Sequence, residues 1–172
     1  MSSSLHIENI DVYSPDGVET INQWVSDIVN GIEPEREERI RFWVHIRDAE
    51  RAFETLKKND ISGDFQLSGR RAWNQKMILN EINILWNRYQ NAVHGTHTIE
   101  SLSEITSPAA FQIDANDLRP DLRPLHDALL SCGTDGWRPL ISIRVGLMLS
   151  LIHISEPTRR TPLSYAVFCL KK

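Results

Sequence analysis

The segment with the most candidate binding chemistry is RFWVHIRD, residues Arg41 to Asp48. It starts with an arginine, continues as an apolar and aromatic run, and ends in an aspartate where helical spacing begins. An arginine on a strand that leads to a loop can offer a planar, bidentate fork to a diphosphate, and Asp48 is placed to cap the helix. The alternative interpretation is a surface arginine in an ordinary strand-turn-helix unit, and the residue types alone favour it.

Histidines supply a second candidate, a metal centre. His94 and His97 are spaced as H-x-x-H in a stretch with Gly and Thr, which could place two imidazoles on one cation. No Cys, Asp or Glu at ligand spacing completes the set of ligands that such a cation needs. We therefore predict no bound metal, and we expect His126 to lie at the surface on the polar side of its helix.

A third candidate is the pair Arg70 and Arg71, which lies close to Trp73 in the sequence. Guanidinium groups beside an indole can stack on a base or hold a phosphate. Two arginines that open a helical region are more often solvated, however, and the acidic surroundings argue against nucleic acid. The pair is therefore predicted to be a solvated part of the surface.

Strong stand-alone catalytic signatures are absent from the sequence. The chain contains no G-x-G-x-x-G, no P-loop, no nucleophile elbow, no H-E-x-x-H and no C-x-x-C. The sequence therefore has no local motif typical of a dinucleotide-binding protein, a P-loop protein, a serine hydrolase or a zinc metalloprotease. No catalytic function can be assigned from a single motif.

Hydrophobic periodicity predicts that short strands and helices alternate and position these residues. Strands are predicted at 5–13, 40–46 and 64–68. Helices are predicted after a capping box of Asp16 and Glu19, over 48–58, through the apolar positions from Ile78 to Tyr89, over 121–132, and from Ile141 onward. Weaker patterns predict a short helix capped by Ser101 and Glu104, and a strand at 111–113.

The composition is typical of an ordinary chain of about one domain, with 172 residues, 41% hydrophobic, 24% charged and a net charge of −4. Disordered and collagen-like classes are excluded. The charge gives no reason to expect nucleic acid or an anionic membrane as a partner, and no apolar run could span a bilayer. Cys132 and Cys169 form neither a metal-type spacing nor a disulfide framework, and no signal-peptide layout is present. We therefore expect a cytoplasmic protein.

The stretch 149–172 is predicted to be an artefactual tail that follows the domain 1–148. It contains LSLIHISEPTR and SYAVFCLKK, which look like translated sequencing adapter, separated by a short variable stretch. The alternative is a natural C-terminal strand, because 165–170 is apolar and β-prone. The tail carries four basic residues and one acidic residue, so 1–148 is more acidic than the whole chain.

Five short motifs follow one another along the chain: VYSP at 12–15, RFWVHIRD at 41–48, DFQLSGR at 64–70, RPD at 119–121 and GWRP at 136–139. In this order they resemble motifs of the C-terminal half of extended short-chain dehydrogenases/reductases. That group is the NAD-dependent epimerase/dehydratase family, which acts on sugar nucleotides. The first two motifs look like the family's Val-Tyr-Gly-Pro and Arg-Asp-Phe-Val-His-Val-x-Asp. The last two look like its closing Arg-Pro-Gly-Asp and Leu-Gly-Trp-x-Pro.

The resemblance implies an α/β fold, namely the C-terminal, substrate-binding part of a Rossmann-type domain whose N-terminal dinucleotide-binding core is missing. It implies a nucleotide-sugar substrate, with Arg41 and Arg119 holding the diphosphate and with Tyr13 and Pro15 lining the crevice. A full-length parent, which could be a homodimer, would use NAD or NADP. This chain would bind no cofactor and be inactive alone, because it has neither the glycine-rich loop nor a Tyr-x-x-x-Lys pair.

The sequence departs from the family pattern at several of the implied contacts. Asp11 replaces an asparagine, Ser14 replaces a glycine and Phe42 replaces an aspartate, while the glycine of Arg-Pro-Gly-Asp is missing. The resemblance therefore gives less reason to expect substrate contacts at those positions.

A hypothesis of a different class is a small, acidic, non-catalytic module that docks a protein partner. The two hypotheses differ in what they predict about the surface. A lobe cut away from a parallel sheet should expose apolar faces and be aggregation-prone or partly molten. Those faces would include Ile21, Trp24, Ile28, Ile82 and Trp86.

Overall fold

The computed structural model describes residues 4–103, 106, 108 and 113–156. The chain folds as a mixed α/β structure with parallel strands, which confirms the predicted fold class. The strands are β1 (Leu5–Asn9), β2 (Val12–Tyr13), β3 (Val44–His45) and β4 (Gly63–Leu67). The helices are α1 (Thr20–Val29), α2 (Ile46–Lys58), α3 (Gln75–His94), α4 (Arg123–Ser131) and α5 (Ile143–Ser155), with a 3-10 turn at Asn116–Leu118.

The strands form two separate parallel pairs. β1 pairs with β4, with Leu5 opposite Gly63, and β2 pairs with β3, with Val12 opposite Val44. The prediction of one strand over 5–13 is wrong, because Asp11 adopts a φ of 53°. A residue with a left-handed backbone conformation cannot continue a strand, so the chain turns between β1 and β2.

The predicted strand 40–46 is also wrong for most of its length. Only Val44 and His45 join a ladder, whereas Arg41 forms an isolated antiparallel bridge with Trp73. This bridge ties the start of the segment to the loop before α3 through backbone bonds of 2.9 and 2.8 Å. Tertiary pairing has therefore divided a continuous apolar run between two partners.

Helix starts differ from the predicted caps. The capping box of Asp16 and Glu19 is wrong, because α1 begins after Glu19 without a side-chain cap bond. Asp48 is not the cap of α2 either, since the helix starts at Ile46 and His45 Nδ1 accepts the Arg47 N–H. The buried Asp48 carboxylate instead accepts the N–H groups of Leu140 and Ile141 at 3.0 and 2.9 Å, which fixes the segment that leads into α5.

Helices α1, α3 and α5 enclose the larger apolar core. Ile21, Trp24 and Ile82 are buried there, and Ile28 and Trp86 pack against the cluster while partly exposed. The expectation that these faces would lie open is therefore wrong for the three buried residues. α5 covers them, so the chain supplies its own third helix.

α5 also crosses the predicted boundary at 148. Ser150 and Leu151 are fully buried, and Leu151 belongs to the core of α1, α3 and α5. The structure describes the chain only to Glu156, so most of the stretch 149–172 lies outside the described residues. The division at 148 stays a prediction.

Two of the weaker predictions reach residues outside the described part of the chain: Glu104 of the proposed cap at Ser101, and positions 111 and 112 of the proposed strand. Within the described part, 99–102 form turns rather than a helix. No described helix is long and apolar enough to cross a membrane.

Candidate functional site: an arginine-rich cleft

Arg41 lies at the start of the RFWVHIRD segment and is held by two carboxylates. Its Nη1 donates to Asp11 at 3.1 Å, and its Nε and Nη2 contact Glu37 at 2.8 and 2.6 Å. Asp11 also accepts the backbone N–H of Phe42 at 2.7 Å, so the left-handed turn at Asp11 places this carboxylate against the segment. An anion that binds Arg41 must share or displace Glu37.

The electrostatics of Arg41 follow from this pairing. Partial burial lowers the pKa of the guanidinium, but the hydrogen bonds that it donates to Glu37 and Asp11 outweigh this effect and leave the pKa above its usual value. Arg41 also lies over the ring of Trp43, with 5.4 Å between Cζ and the ring centroid. The group is therefore a permanent cation in a fixed position.

Arg119 is the more accessible of the two predicted diphosphate ligands. Its guanidinium lies 5.5 Å over the ring of Phe42 and donates a hydrogen bond to the carbonyl oxygen of Arg70. With Arg70 and Arg71 it lines a cavity of about 200 Å³. The fold thus places Arg119 against Phe42, the residue that follows Arg41, and beside Arg70 and Arg71.

Tyr13 is 1% exposed and lies inside the core rather than on a crevice wall. Its ring makes edge contacts with Trp43 and His45, at centroid distances of 6.0 and 5.4 Å. Its hydroxyl packs so closely on Gly146 that a Cβ at that position would collide with it. Burial, reinforced by the charge of Asp48, raises the pKa of the Tyr13 hydroxyl well above its ordinary value.

Pro15 is half-buried in the turn between β2 and α1, which Gly17 closes by donating its N–H to the carbonyl of Ser14 at 3.0 Å. Neither Pro15 nor Tyr13 is among the lining residues of the two arginine-lined cavities. Of the four predicted contacts, Arg119 alone lines one of these two cavities. Arg41 lies beside Phe42 and lines a separate cavity together with Asp27, Glu35 and Glu37.

A larger cavity of about 450 Å³ adjoins the Arg119 cavity through the shared pair Arg70 and Arg71. Its remaining charged lining residues are Arg138 and Arg144. Arg144 is paired with the buried Glu81 at 2.8 Å, and its pKa is raised by these hydrogen bonds. The sequence singled out Arg70 and Arg71 as a charged pair, and Arg138 only as a member of the GWRP motif. It gave no signal for Arg144, which joins the cleft through the placement of α5.

The histidines that the sequence singled out lie in different surroundings. His94 and His97 are exposed at the end of α3, and the described residues contain no group of three or more potential metal ligands. His126 is half-buried rather than at the surface, and its Nδ1 accepts the backbone N–H of Trp137 at 3.1 Å. The prediction for His126 is wrong because the loop after α4 folds back over that helix face.

Comparison with solved structures identifies the class of fold. The chain matches UDP-N-acetylglucosamine 4-epimerase from Bacillus cereus at a TM-score of 0.53 and 14% identity, over 86% of this chain and 45% of that one. It matches the UDP-glucose 4-epimerase of Thermus thermophilus in complex with NAD at 0.55 and 16%, over 90% and 47%. For RMD from Pseudomonas aeruginosa complexed with NADPH the values are 0.55 and 17%, over 90% and 49%.

The chain therefore has a mixed α/β fold that matches part of these Rossmann-like structures, and it spans about half of their length. No protein-family model and no curated protein sequence matches it.

Proposed function

We propose that the chain forms the nucleotide-sugar-binding part of an NAD(P)-dependent epimerase, dehydratase or reductase. The observation that carries the proposal is the convergence of Arg119, Arg70 and Arg71 on one cavity whose described lining includes no carboxylate. Guanidinium groups bind the oxygens of a diphosphate with charge-assisted, bidentate hydrogen bonds. The likeness of the fold to solved sugar-nucleotide epimerases supports the same assignment.

In this proposal Arg119 makes the first contact with the diphosphate, because it is exposed and its described partner is a neutral carbonyl oxygen. Arg41 lies outside this cavity but next to Phe42, and in the proposal it makes the second contact once the ligand displaces Glu37, while Asp11 keeps its guanidinium in place. Pro15 shapes the approach from the turn before α1. Tyr13 does not contact the ligand in this proposal, and its ring supports the site by packing on Trp43.

The residues of this chain do not fit a nicotinamide cofactor. A dinucleotide pyrophosphate is held by a glycine-rich turn at a helix N-terminus, and no such motif occurs in the sequence. The Tyr-x-x-x-Lys pair of the resembling family is missing as well. We therefore assign this chain substrate binding alone and derive no redox step through its residues.

The test is the melting temperature of the full 172-residue chain with UDP-glucose, GDP-mannose or dTDP-glucose. A ligand that binds only the folded state raises the midpoint, so we expect at least one of the three to do so. Arg119→Ala should weaken that binding by about tenfold or more, the cost of losing a charge-assisted hydrogen bond. Arg47→Ala, an exposed arginine outside the cavity, is the matched control.

Two outcomes would contradict the proposal. One is a shift that Arg119→Ala and Arg47→Ala leave equally unchanged. The other is a cooperative melt with no shift by any of the three sugar nucleotides, which would favour the acidic protein-interaction module instead.

A further inference from the structure

The 450 Å³ cavity combines positive charge with aromatic walls. Its described lining contains four arginines and no carboxylate, and Trp43 and Trp73 form part of its surface. Its volume lies within the roughly 300–1,000 Å³ of small-molecule sites. Arg144 is paired with Glu81, which leaves Arg70, Arg71 and Arg138 as the lining guanidinium groups whose placement needs a physical reason in a chain of net charge −4.

Two N–H donors of lining residues have no hydrogen-bond partner among the described residues. Trp43 is only 6% exposed, and its buried Nε1 is unpaired. The Nη1 of Arg71 is likewise buried and unpaired, while its guanidinium lies 5.9 Å from the centroid of Trp73. Leaving a buried donor unsatisfied costs about 1–3 kcal/mol, and more for a charged group.

Another buried tryptophan of this chain shows the ordinary solution. Trp137 is 2% exposed, and its Nε1 donates to the carbonyl oxygen of Ser68 at 2.8 Å. The indole of Trp43 has no such acceptor in the described part of the chain. Trp43 and Arg71 both line the cavity, so an acceptor that enters it is the partner we expect for these two donors.

We infer that this cavity binds the phosphoryl group of a small phosphorylated molecule, with Arg71 Nη1 and Trp43 Nε1 as donors. Arg70 and Arg138 add positive charge at the exposed side. The apolar part of the ligand would pack on Trp73, Pro139 and Ile141. This inference goes beyond the proposed diphosphate contacts of Arg41 and Arg119, neither of which lines this cavity, although Arg70 and Arg71 line both cavities.

The test follows the five tryptophan indole N–H signals of the full-length, ¹⁵N-labelled chain during titration with inorganic phosphate. Trp43→Phe assigns the signal of Trp43. We expect that signal to move downfield and saturate, as a new hydrogen bond forms, while the signal of Trp137 stays in place. If Trp43→Phe does not fold, the Trp43 signal is assigned from backbone-linked NMR spectra of the unmodified chain.

Arg71→Gln keeps a polar side chain but removes the charge, and we expect it to weaken phosphate binding by about tenfold. Arg47→Gln, outside the cavity, should bind phosphate as the unmodified chain does. The assignment would be overturned by equal affinity of Arg71→Gln and Arg47→Gln, by equal movement of the Trp43 and Trp137 signals, or by tighter binding of acetate than of phosphate. Loss of sugar-nucleotide binding in Arg119→Ala with phosphate binding intact would separate the two sites.

Discussion

His45 is a buried histidine whose neutral form is built into the fold. It is 1% exposed, its Nδ1 accepts the Arg47 N–H at 3.2 Å, and its ring packs on Tyr13. Burial, with the nearby charge of Arg47, lowers the pKa of the imidazole, although Asp48 and Glu50 oppose the shift. A protonated ring would lose the cap of α2, because Nδ1 could no longer accept a hydrogen bond.

The pH dependence of stability follows from that lowered pKa. The unfolded chain takes up a proton near pH 6.5 before the folded chain does, so the free energy of unfolding should fall as the pH drops through that value. One such group contributes at most about 1.4 kcal/mol per pH unit. His45→Asn keeps a capping oxygen and cannot titrate, so urea midpoints at about pH 7.5 and about pH 5.5, on either side of the unfolded pKa, should differ less in this variant. An equal difference in both proteins would contradict the role of His45.

At the scale of elements, the approach of α5 to β2 depends on a glycine. Gly146 is buried, and a Cβ there would collide with the Tyr13 hydroxyl. Gly146→Ala should therefore destabilise the fold by about 1–3 kcal/mol, the usual cost of overpacking a core. Adding Tyr13→Phe removes the colliding oxygen and should recover part of that loss. Urea unfolding of the single and double variants measures the coupling, and simple additivity would show that the two residues do not meet.

At the scale of the whole molecule, α5 decides whether residues beyond 148 belong to the folded unit. Leu151 is fully buried in the core with α1 and α3, whereas its neighbour Ile152 is 40% exposed. Leu151→Ala should lower the free energy of unfolding by about 2–5 kcal/mol. Ile152→Ala should lower it by less than half as much. Equal effects in thermal or urea unfolding would mean that 149–156 add nothing to the core and would support a boundary at 148.

The same packing gives the chain an apolar core of its own. The chain spans about half the length of the solved structures it matches, yet α5 covers Ile21 and Ile82 instead of leaving them exposed. A second cluster, which includes Leu56, Leu67 and Leu125, is buried between α2, β4 and α4. The burial of apolar side chains in these two clusters stabilises the folded chain.

The sequence by itself determined the elements whose signals are local. α3 was predictable from apolar positions at helical spacing, β4 from a short β-prone run between turn residues, and the end of α1 from Gly31, which adopts a φ of 69°. These signals depend on backbone and side-chain geometry within a few residues. The order of short motifs also indicated the α/β fold that the structure has.

Only the tertiary structure decided the partners of individual side chains. Asp11 holds Arg41 across 30 positions, Asp48 accepts N–H groups from the segment before α5, and Arg138 and Arg144 join Arg70 and Arg71 around one cavity. None of these contacts has a local pattern, because each depends on how distant elements pack. Periodicity specifies which face of an element is apolar, but the packing of those faces specifies which charges meet at their edges.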